Sequence, residues 1–169
     1  MTAITHSELS AATWRTVSLA TLATWLGGSF VLDAVLMPTL SSAGMMTQPG
    51  FASAGYSLFW VFNHLEMLCA ALILTSLLVM QNAGSRLARW VIPAALGLLA
   101  ITMIDTYSLT PLMSALGLQL DFFASATPMP AEMNQLHAGY WLLEVLKFAL
   151  GSAVLISSYR SIGNKSDLA

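Results

Sequence analysis

The sequence predicts an all-α, integral membrane four-helix bundle, and three observations carry that prediction. Hydrophobic residues fill 57% of the 169 positions and charged residues only 8%, with a mean hydropathy of +0.74. A soluble domain carries about 25% charged residues, so too few remain here to coat a water-facing surface. Four apolar stretches each exceed the roughly 20 residues that the hydrocarbon core of a bilayer requires. Basic residues gather at alternate connections, the pattern expected of loops on one side of a membrane.

The spans are expected near 14–40, 57–81, 88–116 and 134–158, within a single membrane domain covering residues 1–169. Strands do not explain runs this long, because a lipid-exposed sheet leaves its edges unpaired. Thr5, His6, Ser7 and Glu8 have the form of a capping box, so a helix is expected to start ahead of span one. A secretory signal is not expected: span one is too long for its apolar region, and no Lys or Arg precedes Arg15. In span one, Trp25, Ser29 and Asp33 align on one face, and Gly27-Gly28 is expected to admit a close neighbour.

Span two places Asn63 and Glu66 on one face with Phe59 and Phe62, while His64 points nearly the opposite way. Span three brings Thr102, Asp105 and Ser108 together around the helix. Span four has the clearest pattern. Met133, His137, Tyr140, Glu144, Lys147 and Gly151 fall within about 80° of arc at 100° per residue, leaving leucines and valine elsewhere. Trp14, Trp60, Trp90 and Trp141 near the span ends read as interfacial anchors, and the deeper Trp25 as core.

Orientation follows from charge. Arg15, Arg86, Arg89, Arg160 and Lys165 lie in the N-terminal flank, the 82–90 loop or the tail, whereas the 41–56 and 117–133 loops have no Lys or Arg. Both termini are therefore expected in the cytoplasm of a bacterial-type inner membrane. The net charge of −2 and the lack of a basic block give nucleic acid no footing, and the lone Cys69 permits no intrachain disulfide.

An internal echo links the halves. Asp33 precedes Pro38 by five residues and Asp105 precedes Pro111 by six, while spans two and four each carry a glutamate about ten residues from one end. Two tandem two-helix repeats, parallel about an axis along the membrane normal, would produce this pattern, and so would shared membrane chemistry.

Function is read from Asp33, Glu66, Asp105 and Glu144, one carboxylate in each span. Ionisable groups inside a bilayer are costly and mark ion, proton or ligand paths. By helix rise all four fall at a similar depth, toward the ends of spans one and three. The candidate ligand- or ion-binding set is Asp33, Asn63, Glu66, Asp105, His137, Tyr140, Glu144 and Lys147. The leading expectation is a site that binds or passes a cation or proton, with a polar cavity opening outward. Glu144 and Lys147, three apart, are expected to pair and to leave the other acids uncompensated. Neutral carboxyls acting as interhelical hydrogen-bond glue in a scaffold subunit are the rival. A bound organic ligand is a further reading.

Met133, His137 and Glu144 form a candidate metal set, and methionines toward the outer ends suit Cu(I). No cofactor is named by the sequence; a metal ion fits it better than a haem, because His64 turns away from Glu66. Glycine-rich phosphate loops, H-E-x-x-H and G-x-S-x-G are absent from the sequence, so an enzyme is not the leading expectation. The expected partners are the lipid bilayer and a homo-oligomer or larger membrane complex, since four helices give a thin wall for a path.

A family resemblance rests on Trp25-Leu26-Gly27-Gly28-Ser29-Phe30, then Pro38-Thr39-Leu40, and on Asn134-Gln135-Leu136-His137 entering span four. These resemble bacterial four-helix membrane proteins related to transmembrane protein 205, largely a domain of unknown function. More distantly the layout is similar to the copper-resistance-D-like superfamily, which includes a haem-dependent protoporphyrinogen oxidase. The early span-one histidine of that enzyme is missing here. The resemblance implies a membrane bundle and metal-stress tolerance, with no established reaction.

Overall fold

The computed structural model describes residues 6–45, 48, 50–85, 87–122 and 131–166, with side chains described for 11–45, 48, 50–85, 87–118 and 131–160. Thr5, Met46, Pro49, Arg86 and Met129 lie outside the described residues, as do the side chains of His6, Glu8 and Lys165.

Every regular element among the described residues is helical. The first span joins α1 (His6–Phe30), a π-helical segment π1 (Val31–Leu36) and α2 (Met37–Ser42). The second is the unbroken α3 (Phe51–Asn82). The third joins α4 (Val91–Ile104), π2 (Asp105–Leu109) and α5 (Thr110–Phe122), and the fourth is α6 (Ala131–Ser166). All four are long and apolar enough to cross a membrane. The helices outrun the spans read from hydropathy: α3 starts at Phe51, so Gly55 is helical rather than part of a loop. At 32 residues α3 is about 48 Å long, beyond the roughly 30 Å of hydrocarbon. Helix continues where apolarity stops.

The two prolines explain the π segments. A proline inside a helix lacks an N–H and clashes with the carbonyl four residues back. Pro38 and Pro111 each follow a π segment by two residues. Met37 donates its amide to the Leu32 carbonyl and Thr110 to the Asp105 carbonyl, both steps of five residues. The wider turn inserts one extra residue, and such insertions recur at functional sites. Each carries a buried aspartate, Asp33 in π1 and Asp105 in π2.

The α3–α4 connection is short because Gly84, at φ 79°, ends α3 in a left-handed turn. Gly84 donates to the Gln81 carbonyl and Ser85 to that of Met80, both at 3.0 Å, closing a Schellman motif. Among the described residues, span one packs on spans two and four, and span three does likewise. Spans one and three, and spans two and four, face each other across diagonals.

The interior separates into two layers. Leu22, Trp25, Ala70, Ile73, Leu77, Val91, Ala94, Ala95, Leu98 and Val154 make an apolar layer at the end that carries the 83–90 connection. Beyond it, toward the opposite end, lie the buried Ser29, Asp33, Asn63, Glu66, Thr102, Asp105, Thr106, Thr110, Tyr140, Glu144 and Lys147. Gly27 is exposed, and a Cβ built on Gly28 would meet only the Phe62 ring, at 3.8 Å, so this pair does not make the close approach expected of it. That approach occurs at Gly151, where a Cβ would lie 2.9 Å from a Leu26 methyl.

Candidate functional site

Span four builds the polar layer from one uninterrupted stripe. Met133, Tyr140, Glu144, Lys147 and Gly151 repeat at helical spacing, and all are buried. His137 sits at the edge of that arc and is exposed; its Nδ1–H donates to the Met133 carbonyl at 2.9 Å. The layer thus receives Tyr140, Glu144 and Lys147 without His137.

Lys147 is 0% exposed, and its ammonium donates to Glu144 Oε1 and to Glu66 Oε1, each at 2.6 Å. The first contact is the expected intrahelical pair. The second overturns the expectation that Glu66 is left uncompensated: the lysine side chain is long enough to cross the bundle diagonal from span four to span two. Ser29 Oγ also donates to Glu66 Oε1, at 2.6 Å, which ties span one to the same carboxylate. Buried ion pairs hold only when further hydrogen bonds offset desolvation, and Ser29 supplies one.

Two other contacts fix the layer's rim. Tyr140 donates its phenol to Asp33 Oδ1 at 2.9 Å, joining spans four and one. Phe59 meets the Tyr140 ring edge-on, with centroids 5.9 Å apart. Asn63 Nδ2 donates to Thr110 Oγ1 at 2.7 Å, joining spans two and three.

Asp105 is different. It is 0% exposed, lies within electrostatic range of Lys147, Glu66 and Asp33, and neither carboxylate oxygen has a hydrogen-bond partner. Asp33 Oδ2 and Glu144 Oε2 are also buried without partners. The π2 turn shapes this neighbourhood. It turns Thr106 and Thr110 inward and leaves Ser108 exposed, so Ser108 does not join Asp105 as an unbroken α-helix would require. Sequence reasoning misses Thr106 and Thr110 for the same reason; the aspartate-then-proline spacing was the available signal.

His64 is half-buried on the bundle's flank, stacked on Trp60 with centroids 4.2 Å apart, and its Nδ1–H donates to the Trp60 carbonyl at 2.6 Å. A groove of about 330 Å³ lies on the exposed face of α3 at Tyr56, Ser57, Trp60 and Val61, away from the acids. Among the described residues, no three His, Cys, Asp or Glu side chains come together as a metal-holding group.

A family model described as a domain of unknown function (DUF4149) matches residues 20–120, more than half of the chain. The chain belongs to the DUF4149 family. The match runs from α1 through α5 and includes Asp33, Glu66 and Asp105, while Glu144 and Lys147 follow it. No match was found among curated proteins, and none among solved structures. This DUF4149 chain is an integral membrane protein, with four helices suited to crossing a bilayer.

Proposed function

We propose that this DUF4149 protein binds a cation or a proton inside the membrane, in the polar layer around Lys147. One observation carries the reading: four buried carboxyls share the layer with a single ammonium. If all ionised, they would outnumber it by three. Buried charge without a counterion costs several kcal/mol, about 20 in the idealised limit, so protons or cations must neutralise the excess. The apolar layer closes the other half of the bundle, which favours binding over passage within one copy. Passage would call on a homo-oligomer or a partner protein.

The positive-inside pattern supports a bacterial-type inner membrane with both termini and the 83–90 connection cytoplasmic, so the polar layer would lie toward the outer face. Thermal unfolding in mild detergent tests the reading across pH and across sodium and potassium salts. Stability should respond to at least one of these, and Glu66→Gln and Glu144→Gln should weaken the response.

A scaffold role is the second reading, and Ser29–Glu66, Asn63–Thr110 and Tyr140–Asp33 favour it, because each bond ties a different pair of adjacent spans. An unchanged response in both glutamine variants would select it.

A further inference from the structure

We infer that the bound species is a proton and that Asp105 holds it, an inference that rests on the proposed cation or proton site. The donors of the layer can be followed one by one. Lys147 gives N–H groups to Glu66 and Glu144. Tyr140 gives its hydroxyl to Asp33, and Ser29 to Glu66. The hydroxyls nearest Asp105 on its own helix are spent on the backbone: Thr102 on the Leu99 carbonyl at 2.9 Å, and Thr106 on the Thr102 carbonyl at 2.6 Å. Thr110 accepts from Asn63.

No donor among the described residues comes within hydrogen-bond distance of Asp105, whose two oxygens are fully enclosed. The charged groups that act on it are Asp33 of span one, Glu66 of span two and Lys147 of span four. Two of these three are acids, and the one cation already serves two carboxylates. An ionised Asp105 would thus be a desolvated anion among anions.

A metal ion is a poor alternative at this position. Hard cations take six or more oxygens at about 2.0–2.6 Å, and no three acidic, His or Cys side chains among the described residues converge to supply them. A proton needs one oxygen. Binding forms one O–H bond on Asp105. Release breaks it, returns the proton to the aqueous phase, and leaves a carboxylate whose nearest compensating charge is the Lys147 ammonium.

Infrared difference spectroscopy of the whole protein in lipid bilayers tests this. At neutral pH carboxylic-acid C=O absorption should be present and shift on exchange into heavy water, and one component of it should disappear in Asp105→Asn and persist in Asp33→Asn. Lack of any such absorption, or survival of every component in Asp105→Asn, overturns the assignment. Should Asp105→Asn fail to fold, wild-type protein grown with isotope-labelled aspartate answers instead: one component must move with the label, and absorption that stays put throughout belongs to glutamate and refutes the proposal. A protein whose stability ignores pH and salts sinks the broader site. A pH- or salt-responsive protein with an unchanged band sinks only the role of Asp105.

Discussion

Lys147 of the fourth span reaches Glu66 of the second at 2.6 Å, across the diagonal of the bundle, while holding Glu144 one turn away at the same distance. Lateral helix packing alone does not connect these two spans. The ammonium is therefore both a charge partner and a cross-brace.

Removing that brace should be severe. Lys147→Met leaves two buried carboxylates without a counterion, a change that costs about 3–5 kcal/mol when a buried pair loses one partner. Adding Glu66→Gln and Glu144→Gln to the same chain should restore much of the loss, because the uncompensated charge goes with them. Reversible unfolding in mixed micelles, read as a mutant cycle, gives the coupling directly.

Tyr140→Phe removes the phenol that Asp33 accepts and nothing else of consequence to packing. Interhelical hydrogen bonds in membranes average about 0.6 kcal/mol with a maximum near 1.7, so a loss in that range is expected. The same unfolding assay measures it.

The apolar layer should behave as a packed core independent of the polar one. Leu98 is 0% exposed within it, and Leu98→Ala should cost about 2–5 kcal/mol through lost contacts and cavity formation. Its response to pH and salts should stay that of the wild type. A change in that response would show the two layers to be coupled.

Gly151 faces Leu26 closely enough that substitutions should scale with size. Leu26 can turn its methyls aside for Gly151→Ala, so that change should be mild. Gly151→Leu overfills the contact and should cost about 1–3 kcal/mol, partly recovered by adding Leu26→Ala. Thermal midpoints of the three variants decide this.

His137→Ala should leave stability within about 0.5 kcal/mol and any pH response intact, since the ring is exposed and its hydrogen bond stays within its own helix. A pH response that vanished with this substitution would return His137 to the site.

How much of this the sequence discloses depends on whether the helical register is unbroken. Tyr140, Glu144 and Lys147 are legible as one stripe because α6 runs without interruption. His137 lies at the margin of that stripe, where a periodicity argument cannot separate buried from exposed. In span three the α-helical count works as far as Asp105 and then fails, because π2 adds a residue and exchanges Ser108 for Thr106 and Thr110. The Lys147–Glu66 contact is not legible at all: it depends on which spans stand on a diagonal, and periodicity within one helix carries no such information. The four apolar spans, by contrast, follow from composition, which the bilayer itself imposes.

Solid-state NMR distances in lipid bilayers reach the central claim most directly. The chain has two lysines, Lys147 and Lys165, so the ammonium signals can be assigned by a single substitution. With isotope labels on lysine side-chain nitrogen and glutamate carboxyl carbon, Lys147 should couple strongly to two glutamates, and Glu66→Gln and Glu144→Gln should each remove one coupling. Coupling to Glu144 alone, or to neither, would contradict the account.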